Sequence, residues 1–339
     1  MKFGVLQFFS WPGRRVPLDV VYERAFQRID MMERTGYDAV WLAEHHFSSY
    51  SVCPSIHMMG THIAARTARL RIGTAVSLAP FYHPLRLAEE VALLDVLSGG
   101  RVNWGVGRGF DPTEYRTFGV DPEESYPRYR EAVEVVLAAW QNERLNFAGR
   151  FHQFEDIEVL PKPLQQPHPP VWLAATSASS IDWCAAHGYS VLMDPHASHA
   201  DIAAKRQHYQ SVLESSGHSM AGREIPMARN IALGRTLREA EEIARRGAEF
   251  MFGSYLPQDN AFAKAASEKT VDVAALGNVD ETDPVSRYVS GSIIWGTPEK
   301  VVDDLQMLEE TLPLDYLMCA PLSHRSFELF TEKVLPSFL

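Results

Sequence analysis

Short apolar runs alternate with longer amphipathic stretches along most of the chain. Residues 2–9 predict a buried strand, and a helical pattern over 18–34 stops at Gly36 as a helix C-terminus should. Strand 39–42, helix 55–66, strand 71–77, helix 84–97 and strand 102–106 follow, the second of these helices closed by Ser98-Gly99-Gly100. In the next stretch, 123–140, Val133, Val136, Leu137 and Trp140 fall at i, i+3, i+4 and i+7, one face of a helix. An excursion over 145–154 and a proline-rich connector, 161–170, precede strand 171–174. Helix 177–187 then pairs with strand 190–193, and helix 202–215 with strand 226–233. Helices 237–252 and 299–311, strand 315–319 and helix 327–335 complete the pattern.

Eight strands joined almost throughout by helices predict an α/β chain, a single (β/α)8 TIM barrel with insertions spanning residues 1–339. A doubly wound sheet with a second domain is the competitor. Its linker would have to be 161–170, which is short and is followed by the same alternation. The segment 256–290 breaks that alternation with Pro257, Asp259, Asn260, Gly277, Asp280, Asp283 and Pro284, and predicts a mobile lid loop over the mouth.

Composition narrows the partners. Among 339 residues, 32 Lys and Arg stand against 43 Asp and Glu, a net charge of −11 that repels phosphate backbones and anionic membranes. No nucleic acid or membrane partner is expected. The three cysteines, Cys53, Cys184 and Cys319, are far apart and form no CxxC pair, so neither a disulfide framework nor a thiolate metal site is indicated. The apolar start, residues 3–11, is short, interrupted by Gln7 and Ser10, and lacks a small-residue cleavage site. A cytoplasmic location is the expectation.

In a barrel, the residues just past the strand ends line one mouth. Those positions are Glu44, His45 and His46, then Ala75-Val76-Ser77, then Gly107-Arg108-Gly109, then Thr176 and Ser177, and Asp194, with Arg229 and Asn230 on opposite faces of strand seven. Ser177 opens a helix, where its hydroxyl can cap while free N–H groups point outward. Arg108, between two glycines, lies on a neighbouring loop, so Arg108, Ser177, Ser180 and helix amides could hold a phosphate. Gly105 to Gly109 is neither GxGxxG nor a P-loop. Adjacent residues leaving a strand diverge, so one of His45 and His46 faces the mouth, as an acid, base or hydrogen-bond donor. No HxH, HExxH or carboxylate cluster accompanies them, and no metal site is expected. His57 and His62 read as structural.

Several blocks together carry a family resemblance: Lys2-Phe3-Gly4, Gly36 through Phe47 (GYDAVWLAEHHF), Ile72 through Val76, His83 through Glu90 (HPLRLAEE), Ser98 through Arg101, Gly105 through Gly109, Ala175 through Ser179, and Gly296-Thr297-Pro298-Glu299. End to end, the chain resembles the bacterial luciferase-like flavin-dependent monooxygenases, particularly the catalytic luciferase subunit. The resemblance implies a barrel that binds reduced FMN at its C-terminal mouth, activates O2 as a C4a-peroxyflavin and oxygenates a small organic substrate. A separate flavin reductase would supply the reduced FMN, and helices near 55–66 and 85–97 would form a homodimer. Residue by residue, it places Arg108, Ser177 and Ser180 on the FMN phosphate with amides near Thr176. It lays a cis Ala75-Val76 peptide against the flavin ring, puts Glu44 in the flavin pocket and makes His45 the catalytic histidine. Gly107, Thr176 and Pro195 depart from the luciferase cysteine, glutamate and tryptophan. Those departures leave light emission and a long-chain aldehyde substrate open. A dry pocket is expected from Ala75, Val76, Leu78, Phe8, Phe9 and Phe47. Two alternatives stay open: an F420-dependent oxidoreductase on the same barrel, and a non-catalytic flavin-binding subunit.

Overall fold

The structure, a computed structural model, describes residues 1–193, 195–254, 283–312 and 314–339. Strand β1 (Lys2–Gln7) leads through α1 (Leu18–Arg34) to β2 (Ala39–Leu42), and α2 (Ile56–Arg66) leads to β3 (Arg71–Thr74) and the two-residue β4 (Ser77–Leu78). Next come α3 (Pro84–Ser98), β5 (Val102–Gly107), α4 (Pro112–Phe118), α5 (Ser125–Gln141), β6 (Leu145–Ala148), β7 (Gln153–Ile157) and β8 (Val171–Ala174). The second half runs α6 (Ala178–Ala186), β9 (Ser190–Leu192), α7 (His199–Ser215), β10 (Pro226–Leu233) and α8 (Leu237–Ser254). It closes with α9 (Pro284–Ser292), β11 (Ile293–Gly296), α10 (Pro298–Thr311), β12 (Tyr316–Pro321) and α11 (His324–Leu329).

One parallel sheet runs β11-β10-β12-β1-β2-β3-β5-β8-β9, with β4 on β5. It curls until Met193, one residue past β9, forms a single parallel bridge to Met227 of β10. Alternation along the strands separates two cores. Phe3, Val5, Val40, Leu42, Leu317 and Cys319 face outward into the layer beneath the helices. Leu6, Trp41, Trp172, Ala228, Tyr316 and Met318 face inward. Inside the curl, Trp41 meets Trp172 edge-on at 5.4 Å, and its Nε1–H donates to Tyr316 Oη at 3.0 Å. That bulk needs a bare backbone opposite, because a Cβ on Gly73 would lie 2.2 Å from the Trp41 ring.

The eight strands read from the sequence are present in that order, with four differences. The expected strand 71–77 breaks after Thr74, where the Ala75–Val76 peptide is cis, and resumes as β4, whose Ser77 pairs with Val106. The excursion at 145–154 is an antiparallel hairpin of β6 and β7 that extends to Ile157. Strand β11, beside β10, was not expected. The segment expected to be irregular to residue 290 is helical from Pro284, where the Asp283 carboxylate accepts from the Val285 and Ser286 amides. The remainder of the expected lid, 256–282, and Asp194 lie outside the described residues. Among the described residues, no helix is long and apolar enough to cross a membrane.

Candidate functional site

The carboxyl ends of the strands surround a cleft open to solvent. Glu44, His45, Ala75, Val76, Gly107, Arg108 and Thr176, named from the sequence, all line it. Ser177 and Ser180 do not. They adjoin Thr176 and close a capping box at the start of α6: the Ser180 amide donates to Ser177 Oγ at 3.3 Å, and the Ser177 amide donates to Ser180 Oγ at 3.1 Å. Of the apolar residues assigned to the mouth, Ala75, Val76 and Leu78 line the cleft. Phe9 is fully buried in the outer core, Phe47 is 59% exposed, and Phe8 stands behind His45 with ring centroids 6.2 Å apart.

One end of the cleft is cationic. Arg108 donates to Ser125 Oγ at 3.1 Å and stacks 4.6 Å from the Tyr126 ring centroid. Its loop is fixed from behind, because Tyr115 Oη donates to the Arg108 carbonyl at 2.7 Å. Arg130, one turn further along α5, lies 6.0 Å from Tyr126 and 5.1 Å from Trp183 of α6. Its Nε is buried with no hydrogen-bond partner among the described residues. Gly107 has no room for a side chain, since a Cβ there would meet Val76 Cγ2 at 2.6 Å.

Glu44 is buried, and three donors satisfy it: Tyr82 Oη at 2.9 Å, His46 Nε2 at 3.0 Å and the Leu78 amide at 3.2 Å. Burial, then the Glu44 charge, raises the Tyr82 hydroxyl well above the ordinary tyrosine range, so it stays a donor. His46 is thus turned into the wall, against Phe118, while His45 faces the cleft, as strand-exit geometry requires. Behind His45 stands Glu114, buried in the first turn of α4. Its Oε1 accepts from the His46 amide at 2.9 Å and lies 3.8 Å from His45 Nδ1. His57, read as structural, is buried between Glu90 Oε2 and Ser77 Oγ, each at 3.1 Å. His62 packs on Phe26 at 4.8 Å.

The opposite wall holds His196 and Tyr288, which sequence reasoning did not single out, beside Pro195, Arg229 and Asn230, which it named. Pro195 and His196 line the cleft, and His196 Nδ1 lies 2.8 Å from Tyr288 Oη of α9. Asn230 faces inward and its amide donates to that same hydroxyl at 3.0 Å, whereas Arg229 is buried on the outward face with Nε 3.3 Å from His199 Nδ1. Burial, then Arg229, pushes the His199 imidazole down to about 3. Among the described residues, no group of three or more His, Cys, Asp or Glu could hold a metal ion.

A curled parallel sheet with a cleft past its strand ends defines the α/β class whose ligands bind at the carboxyl edge. The chain belongs to the luciferase-like monooxygenase family, whose family model matches residues 1–314. It is 26% identical to the oxygenase component of flavin-dependent trigonelline monooxygenase from Acinetobacter baylyi, covering 100% of this chain and 96% of that one. It is 40% identical to the uncharacterized protein y4wF of Sinorhizobium fredii over a stretch spanning 56% of this chain and about half, 55%, of that relative's length. The monooxygenase RslO1 of Streptomyces bottropensis superposes with a TM-score of 0.84 at 25% identity, covering 100% of both chains.

Proposed function

We propose that the chain is a single-domain oxygenase component of a two-component monooxygenase, on a sheet closed as a (β/α)8 barrel. It takes reduced FMN from a separate flavin reductase and O2, and oxygenates a small organic substrate. One observation carries the reading: the cleft joins a guanidinium end to an apolar middle with the His45 imidazole on one wall and His196 on the other. That donor set suits a phosphorylated, flat, largely apolar cofactor. Arg108, Thr176 and the first amides of α6, oriented by Ser177 and Ser180, would hold the phosphate, with the unpartnered Arg130 Nε nearby. Ala75, Val76, Leu6, Leu78 and Met318 would exclude water from the ring, and Glu44 fixes their loop through the Leu78 amide.

Bound reduced FMN supplies two electrons to O2, one oxygen atom entering the substrate and the other leaving as water. The protein's own contribution is orientation, dryness and a proton carrier. His45, with Glu114 behind its Nδ1, is the group placed to hold or move a proton beside the reacting atoms. The presence of His45 and Arg108 in one cleft supports an active chain rather than a flavin-holding subunit. A homodimer is supported by the apolar side chains that α2 and α3 leave exposed, Met58, Leu93, Val96 and Leu97.

The test combines purified chain with reduced FMN or reduced F420 under anaerobic titration. Substrate-panel turnover with a generic flavin reductase and O2 is then scored by product mass. FMN binding and one-oxygen gains are expected, with His45→Ala keeping FMN binding and losing the gain. Binding of F420 alone, or full turnover in His45→Ala, overturns the assignment.

A further inference from the structure

Strand β4 is only two residues long, yet each of them is tied, directly or through an imidazole, to a carboxylate. The Leu78 amide donates to Glu44 at 3.2 Å. Ser77 is fully buried, and its Oγ lies 3.1 Å from Nε2 of His57 in the first turn of α2. His57 Nδ1 in turn lies 3.1 Å from Glu90 Oε2 on α3, and Arg86 donates to the other Glu90 oxygen at 2.7 Å. Tyr82 links the two anchors, its ring 5.6 Å from the His57 ring and its hydroxyl on Glu44.

The line from Ser77 to Glu90 has a direction. The hydrogen bond from His57, against the opposing pull of burial, and the one from Arg86 hold the Glu90 carboxyl down to about 2. Near neutral pH that carboxylate only accepts, so His57 Nδ1 carries a proton. Among the described residues the Ser77 hydroxyl has His57 Nε2 as its sole partner. A neutral ring gives that hydroxyl an acceptor, whereas a ring protonated on both nitrogens would leave a buried O–H without one.

Val76 and Leu78, on either side of Ser77 in the chain, both line the cleft. A wall that meets a flat ring has to be placed to a fraction of an ångström, since a gap of roughly 0.5–1 Å forfeits about a quarter to a half of the contact attraction. We propose that Glu90 and His57 are positioning residues of the cleft: Glu90 keeps the imidazole proton on Nδ1, Nε2 accepts from the Ser77 hydroxyl, and Val76 and Leu78 are thereby set against the ring of a flat, largely apolar ligand. The wall is thus referenced to α2 and α3 rather than to the loop that carries it. Only the ligand's identity as a flavin rests on the proposed function; the line and its direction stand on the geometry.

The experiment uses the full chain carrying 15N-labelled histidine. Near pH 8, two-bond 1H–15N correlations should show His57, assigned by its loss in His57→Gln, as the neutral Nδ1–H tautomer. Amide hydrogen exchange of residues 75–80, measured without flavin, should quicken about fivefold in Ser77→Ala, the scale of one net hydrogen bond. His57→Leu should quicken it to the same extent, the double variant no further, and His57→Gln, which keeps one donor and one acceptor, much less. His62→Leu, on the same helix but packed on Phe26, should leave it unchanged. Because the wall meets the ring and not the phosphate, FMN and riboflavin should both bind about fivefold more weakly to Ser77→Ala. That variant loses a single oxygen and keeps the test open if His57→Leu does not fold. An Nε2–H or doubly protonated ring, additive effects in the double variant, or wild-type exchange in Ser77→Ala overturns the proposal. Wild-type flavin affinity in Ser77→Ala overturns it too, with the cofactor assignment intact. If the wild-type chain binds neither flavin while the tautomer and the coupled exchange hold, the cofactor assignment alone falls.

Discussion

Arg108 is held by a hydroxyl and an aromatic face, and among the described residues no carboxylate lies within ion-pair distance of it. A guanidinium anchored in that way keeps its charge for a ligand. Arg108→Ala is therefore expected to weaken FMN by roughly 2–3 kcal/mol, the scale of a charge-assisted hydrogen bond, with Arg108→Lys recovering part of it; quenching of flavin fluorescence reads both. His199 gives a pH prediction. The native imidazole, pushed down to about 3, stays neutral while the unfolded chain protonates near 6.5. Below about 6.5 the unfolded state binds the extra proton, so stability falls with pH down to about 3. Urea titrations at pH 7 and pH 4 should show a smaller acid loss in His199→Gln, and an identical loss would remove His199 as a cause. Single residues at strand ends were legible because each carries its chemistry locally. The partnerships were not. Glu114 reaches His46 across 68 positions and His196 reaches Tyr288 across 92, separations over which no spacing rule operates.

The helices differ in how much of their surface the fold uses. Helix α1 buries Val21, Ala25, Ile29 and Met32, a stripe at helical spacing, with Asp19, Glu23, Arg24 and Gln27 among the residues on its other faces. Helix α3 instead buries Leu87, Val91 and Leu94 and still leaves Leu93, Val96 and Leu97 at 43–55% exposure. An element apolar on both faces has a second surface to cover. If α2 and α3 meet a second copy, Leu97→Glu should shift the protein from dimer to monomer in sedimentation at micromolar concentration, with flavin binding retained. A wild-type sedimentation coefficient for Leu97→Glu would place any dimer contact elsewhere. At this scale the sequence was clearest where a helical period ran unbroken, as in α1, α2 and α5, of which only α2 has a side-chain N-cap, Ser55 accepting from the Met58 amide. It failed at α9 and β11. Asp283 and Pro284 are a cap and first-turn pair, but they end a run of turn-forming residues that outweighed the apolar positions after them. The cis peptide after β3 had no local signal beyond the family resemblance.

At the scale of the molecule, the parallel order of the sheet was readable because helices join most of its successive strands and return the chain in the same direction. The curl brings distant parts of the chain to one rim, and it does so in a particular division. Residues 44 to 126, with Thr176, build the wall carrying Arg108, His45 and the 75–76 peptide, whereas Leu192, Met193, Pro195, His196 and Ala228, backed by Tyr288, build the other. That split lets heredity treat the halves separately. On the proposed reading, a crossover placed just after α6 would transplant a new taste for cargo onto an unchanged nucleotide cradle.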